Sequence, residues 1–500
     1  MRKNDKELKD DWREKKENLL YPLIDKNMGE SVCFFIKLKE VYNAVCKKNL
    51  PFLVIIFAVV TLLAISGCVT KVYSFSNSDE VIVSNKQELS KALANAKPGS
   101  IIKLAQAEWS NMEVYISKSG TAEQPITLTV TDPGAVFITG TSKVVAQGNY
   151  IVLDGLYFKD GQPFDDKGAI QLKGSHNRAT NCSIVNYNNK TKYTKWVSLY
   201  NRHNRVDHSY FASKTNGGAL LVVWRSNPTP NYHVIDHNVF RDFSDGGGAN
   251  EWETIRIGTS DYSQSSSFTT IEYNYFENCN GEIEIISNKA CHNTIHYNTF
   301  INCKGHICLR HGNNCRVEGN VIKTGNLKDA GGIRIMDKDH LIINNYIEGV
   351  RTTSNARGGI VIYGSDSNPA LSGYWPTENI RIENNTLIDC QQSLVYGGGN
   401  TQSPPVSASL INNLIRNNIN NDREYSMIRV NLSIKETSYS GNVFYGSLLG
   451  LFPIPDGFSK IDPNLKKGND GLYYAQEPTI GAHSLLVLEE TDLGPRTYTP

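Results

Sequence analysis

The sequence predicts an all-β protein, a parallel β-helix formed by a single domain, and three observations support this prediction. The pattern apolar-x-apolar-x-Asn-x-apolar recurs along the chain, and in its middle the asparagines are 36, 24, 22 and 25 residues apart. These asparagines are Asn238, Asn274, Asn298, Asn320 and Asn345. Glycine is abundant (40 residues) and methionine is scarce (5 residues), which is typical of turn-rich β proteins. Several cysteines follow the same spacing.

Each repeat is expected to form one coil of the β-helix. A period of twenty-odd residues with two or three short strands per unit indicates a solenoid whose coils stack ~4.8 Å apart. An asparagine at a fixed turn position is expected to stack into a ladder and to tolerate left-handed backbone geometry. Later copies centre on Asn385, Asn413 and Asn442. The longer gap between Asn345 and Asn385 predicts an inserted loop, and such loops often form the walls of a site.

A short capping helix is expected before the coils. Val81–Val83 predicts a strand, and the stretch Ser84 to Gln87 has the pattern of a capping box that opens a helix through about Ala96. Lys97-Pro98-Gly99 ends it. A helix at this position would cover the open end of the stacked sheets, which is otherwise an exposed edge.

The cysteines obey the register of the repeat. Cys279, Cys303 and Cys390 each lie five residues after a repeat asparagine, and Cys291 and Cys315 are 24 residues apart. A zinc site requires clustered pairs such as C-x-x-C, which the sequence lacks. Buried free thiols stacked inside the coils are therefore the preferred interpretation, and a disulfide between coils is the alternative.

Residues 1–67 are predicted to be an N-terminal extension that ends in an export signal. Lys47 and Lys48 precede an apolar run from Leu50 to Ile65, and the following stretch through Cys68 resembles a bacterial lipobox, in which the cysteine is lipidated. The alternative is an uncleaved membrane anchor, since a run of ~17 residues is at the lower limit for spanning a bilayer. Residues 68–80 are predicted to be a tether and residues 81–500 the β-helix domain. Both interpretations predict an exported, membrane-anchored protein that faces the periplasm or the cell surface.

The overall charge gives no reason to expect a nucleic-acid partner. The chain has 51 basic and 50 acidic side chains, so a charged partner must be recognised by a local cluster. Residues 280–313 contain such a cluster. Glu282 and Glu284 alternate with isoleucines, which predicts one strand face with the carboxylates ~7 Å apart. Two anions on one face favour a hard divalent cation between them, although a solvated strand face is the simpler alternative.

Two arginines are expected on neighbouring coils of the same face. Aligning Cys279 with Cys303 sets Arg310 one coil after Ile286, and a further 24 residues reaches Arg334. Adjacent guanidinium groups that line a groove would be favoured by an anionic ligand that pairs with both.

A lyase that acts on a uronic acid polymer requires these residue types. The proton it removes lies next to a carboxylate, so a cation must stabilise the dianion that develops. A lysine can take this proton in its neutral form, and nearby positive charge would lower the pKa of the lysine, here Lys289. An acid or polarised donor then assists departure of the C4 oxygen.

Four segments in this region resemble polysaccharide lyase family 6, the family of alginate lyases and chondroitinase B. The segments are ETIRIG (253–258), NGEIEIISNK (280–289), RHGN (310–313) and GGIRI (331–335). The similarity covers roughly residues 80–500, and it implies a right-handed parallel β-helix and calcium-dependent β-elimination. It implies calcium binding by Asn250, Glu282 and Glu284, with Lys289 as the base and Arg310 as the acid or charge stabiliser. Glu251 departs from the pattern, because a glycine is expected after Asn250, and this puts the loop that carries Asn250 in question.

Four further residues are predicted to bind substrate: His311, Arg334, Arg256 and Tyr363. His311 has a proton relay or a structural role as alternatives, and Arg256 has a structural ion pair with Glu282 or Glu284. The expected partner is an anionic polysaccharide. Alginate is favoured and dermatan sulfate is the main competitor.

Three other functions remain open at this point. An inverting glycoside hydrolase would use two carboxylates at such a separation, but hydrolysis leaves Lys289 and Arg310 without a role. A non-catalytic polysaccharide-binding surface protein would not need the lysine at this position. A pectate-type lyase would be expected to hold calcium with clustered aspartates, which this region lacks.

Overall fold

The computed structural model describes residues 80–419 and 426–500, and these residues form a parallel β-helix. Each coil contributes up to three short strands, and equivalent strands of successive coils pair in parallel. The predicted fold class is confirmed. Because the pairing repeats coil after coil, each position of the repeat forms a row of side chains along the axis.

The first sheet has 14 strands. They are Glu80–Val83, Ile101–Leu104, Ile126–Val130, Ile151–Asp154, Arg178–Thr180, Arg205–Asp207, Val234–Asp236, Thr270–Glu272, Thr294–His296, Arg316–Glu318, Leu341–Ile343, Ile380–Glu383, Ser407–Ile411 and Glu436–Ser440.

The second and third sheets share the long strand Phe137–Ala146. The other strands of the second sheet are Glu108–Ser110, Tyr157–Pro163, Ser183–Val185, Tyr210–Ala212, Val239–Phe243, Tyr275–Cys279, Thr299–Ile301, Val321–Lys323, Tyr346–Glu348, Thr386–Ile388, Leu414–Asn417, Asn442–Gly446 and Phe458–Lys460. Those of the third sheet are Glu113–Ile116, Ile170–Leu172, Val197–Leu199, Leu221–Val223, Ile255–Ile257, Glu284–Lys289, His306–His311, Ile333–Ile335, Ile360–Tyr363, Leu394–Gly398 and Ile428–Val430.

Three further elements and one pair of strands complete the described chain. Lys86–Ala94 is an α-helix, Ser260–Tyr262 and Glu490–Asp492 are 3-10 helices, and Lys466–Lys467 pairs with Tyr473–Tyr474 in antiparallel fashion. Within the described residues, no helix is long and apolar enough to cross a membrane.

The capping helix is present, but its start is one residue later than predicted. The side chain of Asn85 accepts a hydrogen bond from the Glu88 amide (2.9 Å), and the Glu88 carboxylate accepts one from the Ser84 amide (2.7 Å). The reciprocal pair of a capping box is therefore formed by Asn85 and Glu88. Leu89 and Leu93 are buried against the core at this end of the solenoid.

The predicted asparagine ladder is confirmed. The Nδ2 group of Asn298 donates to the carbonyl oxygen atoms of Ile271 (3.0 Å) and His296 (2.9 Å) and to Oδ1 of Asn320 (3.0 Å). Its own Oδ1 accepts from the backbone and side-chain amides of Asn274. The left-handed backbone lies one residue earlier than expected, at Tyr297 (φ 53°) rather than at the asparagine. This offset leaves the asparagine side chain inside the coil, where it satisfies backbone groups of two coils.

The interior of the coils is apolar. The rings of Phe211, Phe240, Phe276 and Phe300 stack with centroids 4.5–5.2 Å apart. All seven cysteines in the described part of the chain are free and buried. The interpretation as stacked free thiols is confirmed, and the alternative of disulfides is wrong for these residues.

The C-terminal segment lies along the outside of the second sheet and runs back toward the N-terminal coils. The Ala482 amide donates to Thr386 Oγ1 (2.8 Å), the Leu488 amide donates to Thr299 Oγ1 (3.0 Å), and the Tyr498 hydroxyl group donates to Ser183 Oγ (2.9 Å). We call the outward residues of this sheet the covered row. They are Tyr157, Ser183, Tyr210, Val239, Tyr275, Thr299, Val321, Tyr346, Thr386 and Leu414.

The predicted leader (1–67), Cys68 and residues 69–79 of the predicted tether lie outside the described residues. The lipidation and export signals therefore remain predictions.

Candidate active site

The candidate site lies on the outer face of the third sheet. Ile255 and Ile257 point into the core, so Arg256 between them points outward. Pairing of successive strands repeats this position along the sheet, and we call the resulting line of residues the groove row. Its members are Gln171, Ser198, Val222, Arg256, Ser287, Cys308, Arg334, Val361, Val395 and Arg429.

The predicted register of Arg310 and Arg334 is wrong. Ile286 pairs with Ile307, and Cys308 pairs with Arg334, so Arg310 lies two residues beyond the row that contains Arg334. The two arginines do lie on adjacent coils. The coil between the paired residues 286 and 307 is shorter than the 24 residues assumed from the cysteines, and the register also shifts between Asn288 and Lys289.

The predicted strand around Glu282 and Glu284 is also shorter than expected. The strand begins at Glu284, and Glu282 lies in the preceding bend, where its Oε1 accepts a hydrogen bond from the Trp252 amide (2.9 Å). The bend brings Gly281 so close to the Trp252 carbonyl oxygen that a Cβ atom would lie 2.1 Å from it. Sequence alternation alone did not indicate this close approach.

A third carboxylate, Glu253, lies beside these two and was missed. Its side chain is fully buried, and its Oε1 lies 3.9 Å from Arg256 Nη1 and 4.0 Å from Lys289 Nζ. Its Oε2 has no hydrogen-bond partner among the described residues. The signal in the sequence was a glutamate three residues before an outward arginine within ETIRIG.

The three carboxylates lie close enough to affect one another. Burial raises the pKa of Glu282 to about 8, and the neighbouring Glu253 carboxylate raises it further than burial alone would. Burial also raises the pKa of Glu253. Burial acts in the same direction on Glu284, but Arg334 and Lys289 outweigh it and lower the pKa of this residue. The Ser287 hydroxyl group also donates to the Glu284 carboxylate.

The donor chemistry of this region suits a hard cation. Glu282 and Glu284 supply carboxylate oxygens, Asn250 is exposed on the loop that leads to Glu253, and a buried oxygen of Glu253 lacks a hydrogen bond. Oxygen ligands of this kind are what Ca²⁺ prefers. No group of three acidic, histidine or cysteine side chains in the described chain is gathered tightly enough to hold a metal ion by itself. Calcium binding therefore remains a prediction.

Lys289 lies at the end of the strand Glu284–Lys289, where the register shifts by one residue and Lys289 pairs with His311. Two glycines of the quoted motifs pack against this strand end. A Cβ atom on Gly258 would lie 2.7 Å from the Lys289 carbonyl oxygen, and one on Gly312 would lie 2.4 Å from the Ala290 carbonyl carbon. Both glycines also have positive φ angles, of 76° and 85°. These positions require glycine to let the lysine strand turn.

Arg310 is held by the loop inserted before the repeat at Asn385. Its guanidinium group donates to the carbonyl oxygens of Ser372 (3.0 Å) and Gly373 (3.2 Å) and lies over the Tyr374 ring, 4.3 Å from its centroid. The prediction that this long insertion builds a wall of the site agrees with this contact. Arg310 is thus oriented from two sides, by its own strand and by the loop.

His311 is buried next to Arg310. The Arg310 guanidinium group donates to His311 Nδ1 (3.3 Å), so Nδ1 is the acceptor and Nε2 carries the proton that faces Ser260 Oγ (3.4 Å). Burial, together with the positive charges of Arg310 and Lys289, lowers the pKa of His311 to about 3. The imidazole is therefore neutral at physiological pH and orients the arginine. Its predicted contact with substrate stays a prediction.

The other predicted substrate-binding residues are gathered in the same groove. Arg334 lies 3.9 Å from Glu284 and over the Tyr363 ring at 4.8 Å, and Tyr363 in turn packs against Tyr374. The Nε and Nη1 atoms of Arg334 and the Nε atom of Arg256 have no hydrogen-bond partner in the described chain. Arg256 pairs with Glu253 rather than with Glu282 or Glu284, the partners proposed for its structural role.

A cavity of about 570 Å³ opens beside Lys289 on the side of the N-terminal coils. It is lined by Lys167, Lys195, Trp224, Glu251 and Arg256, among others. Burial lowers the pKa of Lys195, which is partly offset by Glu251. Of these residues, sequence reasoning identified only Arg256 and Glu251, because the others come from coils upstream of the quoted motifs.

The fold and this site define a class, a parallel β-helix with a charged groove on one sheet. Residues 83–448 match the family model described as Chondroitinase B, and the chain belongs to this family. The resemblance to polysaccharide lyase family 6 is confirmed, since solved structures similar to the chain are PL6 lyases. No curated protein matches the chain.

Three solved structures illustrate the similarity. The PL6 family alginate lyase AlyGC shares 33% identity at a TM-score of 0.79, over 84% of this chain and 59% of that one. A PL6 alginate lyase in complex with a trisaccharide shares 26% identity at a TM-score of 0.74, over 85% and 96% of the two chains. A mannuronic acid specific polysaccharide family 6 lyase from human gut microbiota shares 29% identity at 0.68, over 77% and 91%. This chain spans less than two thirds of AlyGC.

Proposed function

We propose that the protein is a calcium-dependent polysaccharide lyase that cleaves uronic-acid polymers by β-elimination, with alginate as its substrate. The observation that carries this proposal is the convergence of Lys289, Arg310 and three carboxylates on one face of the third sheet. Lys289 and Arg310 have no role in a hydrolysis reaction, whereas elimination needs both a base and a stabilised leaving group. The membership of the chain in a family of polysaccharide lyases supports the same reaction.

In this mechanism the chain supplies the base and the anion-binding groups. The neutral amine of Lys289 takes the C5 proton of a uronate residue. Arg256 and Arg334 pair with substrate carboxylates through the guanidinium N–H groups that lack partners in the free protein. The resulting loss of positive-charge repulsion and of unmet hydrogen bonds favours the bound polymer.

Arg310 stabilises departure of the C4 oxygen. Its orientation is set by His311 Nδ1 and by the carbonyl oxygens of Ser372 and Gly373. Because the neutral His311 can accept but adds no charge, the guanidinium group keeps its full positive charge toward the leaving oxygen.

A calcium ion would be held by Asn250, Glu282 and Glu284, and when bound it would supply positive charge next to the substrate carboxylate. The raised pKa values of Glu282 and Glu253 are the expected condition of carboxylates that lack such a cation.

Dermatan sulfate is the second candidate substrate, and the observation that favours it is the description of the matched family as Chondroitinase B. Alginate is preferred because the similar solved structures include alginate lyases. A sulfated polymer would also be expected to need a denser cluster of basic residues on the later coils than Arg351 and Arg357 provide.

The proposal is tested by ultraviolet absorbance of unsaturated products from residues 69–500 on alginate and on dermatan sulfate. Signal on alginate alone supports the full proposal, and signal on dermatan sulfate alone reassigns the substrate. Release of reducing ends without unsaturated product would replace the lyase with a hydrolase. Polymer binding with no cleavage would indicate a surface binding protein.

The N-terminal sequence also supports a proposal that the protein is exported and lipidated at Cys68. Mass spectrometry of the mature protein from membranes would find a lipid-modified N-terminal Cys68. A Cys68→Ala variant that stays at the membrane with an intact leader would instead support an uncleaved anchor.

A further inference from the structure

Lys195 is a buried ammonium group that has no hydrogen bond in the described chain. Its side chain is only 7% exposed, and its Nζ lies 3.7 Å from the Glu251 carboxylate, an ion pair without hydrogen-bond contact. An ammonium group carries three N–H donors, and leaving them unmet in a buried site is unfavourable. Lys195 lines the cavity beside Lys289, so its free donors lie where a ligand can enter.

The cavity concentrates positive charge around one aromatic ring. Lys167 Nζ lies 4.9 Å, Lys195 Nζ 5.8 Å and Arg256 Cζ 5.7 Å from the centroid of a Trp224 ring. Lys167 is neutralised by Asp166 at 3.0 Å, whereas Lys195 and Arg256 have only distant carboxylates, at 3.7 Å and 3.9 Å. An anion that enters the cavity would therefore find two cations with unmet hydrogen-bonding capacity.

Glu251 is held in a conformation that side chains rarely adopt. Its φ angle is 66°, and its carbonyl oxygen accepts a hydrogen bond from the Gly218 amide (2.6 Å), which fixes the backbone. Strained residues of this kind persist where the surrounding structure imposes them, and they are concentrated at functional sites. The Glu251 side chain is 42% exposed, so its carboxylate can leave Lys195 for water without passing through the core.

We infer that Lys195 binds the carboxylate of a second uronate residue of the polymer, and that Glu251 occupies Lys195 until this substrate carboxylate displaces it. The inference rests on the proposed function and adds a subsite to it. A uronate polymer carries one carboxylate per sugar, so a chain whose reacting residue lies at Lys289 presents further carboxylates to the same cavity. Its volume is in the range of ~300–1,000 Å³ that ligand pockets occupy.

The test is steady-state kinetics on uronate oligosaccharides of defined length. Lys195→Gln is expected to raise KM about tenfold or more on the longer oligosaccharides, because a charge-assisted hydrogen bond is lost. The kcat value should stay within about twofold, since the contact is made equally in ground and transition states. Lys195→Arg should restore KM, and Glu251→Gln should lower it by freeing the lysine.

The matched control is Lys173→Gln, which removes the same charge from an exposed lysine that follows the neighbouring strand Ile170–Leu172. It should leave both constants unchanged. The stabilisation that calcium gives each variant is measured in parallel, so that damage to the loop of Asn250 is recognised. A Lys195→Gln enzyme with unchanged KM on every length overturns the inference, whereas absence of turnover by the unmodified protein overturns the proposed function instead.

Discussion

The covered row and the groove row occupy matching outward positions on two sheets of the same solenoid, yet their contents differ. The covered row carries hydroxyl, aromatic and aliphatic side chains, and the C-terminal segment donates hydrogen bonds to its oxygens at Thr386, Thr299 and Ser183. The groove row carries Arg256 and Arg334, whose buried nitrogen atoms lack partners in the described chain.

This difference separates the two tasks of the fold. Buried polar groups without partners cost free energy, so the groove stores a deficit that an anionic ligand can remove. The second sheet has no such deficit at the places where the C-terminal segment binds, because the chain itself supplies the partners. The position in the repeat therefore does not determine function; the choice of what covers it does.

The sharpest contrast is expected between Lys289→Ala in the groove and Arg241→Ala under the C-terminal segment. Loss of the general base should reduce kcat by about 10²–10⁴-fold without changing the melting temperature. Arg241 pairs with Glu490 at 2.6 Å, and its removal should cost about 1 kcal/mol of unfolding free energy and no activity. Product absorbance and urea unfolding measure the two effects. Equal loss of activity in both variants would contradict the separation.

Removal of residues 479–500 is expected to destabilise the protein by about 4 kcal/mol, since Ala482, Leu488 and Tyr498 lose buried area. The covered row would then be exposed while the groove stays intact. Urea unfolding gives the stability, and kcat per folded molecule at low temperature should equal that of the full chain. A lower kcat would show that the two sheets are not independent.

Asn298→Ala tests the interior that both rows share. The substitution removes the side-chain bonds to Ile271, His296 and Asn320 and leaves the Asn274 amides without an acceptor. The expected loss is about 2–3 kcal/mol of unfolding free energy. Asn298→Asp keeps the acceptor but not the donors, so it should be destabilised as well. Unchanged stability in both variants would mean that the ladder is dispensable.

Calcium should stabilise the groove side alone. At a concentration ten times its Kd, a cation that binds only the folded state adds about 1.4 kcal/mol, measured as a rise in melting temperature over a chelated sample. Glu282→Gln should abolish this rise, whereas the Arg241→Ala variant should keep it. A rise of equal size with magnesium would indicate weak screening rather than a site with the oxygen-rich geometry of calcium.

The sequence was sufficient for the fold because the repeat is written in buried residues. Asn298 and Cys303 occupy fixed positions inside successive coils, and a residue that must satisfy two coils tolerates few substitutes. Their spacing therefore reports the solenoid directly. The helix cap was predicted one residue early because Ser84 and Asn85 are both good caps, and only the geometry distinguishes them.

The site was predicted in composition but not in register. A fixed period of 24 residues placed Arg310 beside Arg334, whereas the coil there is shorter and bulged at Lys289. Turn length is invisible to strand periodicity. Glu253, Lys195 and Trp224 were missed for a related reason, because coils whose lengths vary bring them to the groove from different parts of the chain.

The course of the C-terminal segment has a consequence for how the chain acquires its structure. Arg496 and Tyr498 bind at Asn181 and Ser183, more than 300 residues earlier in the chain. A solenoid built only of neighbouring contacts can assemble and fray coil by coil, but these closing contacts form only when the intervening coils are in place. The last residues to leave the ribosome thus act as a completion signal, and a prematurely terminated chain would be left with an open seam accessible to proteases.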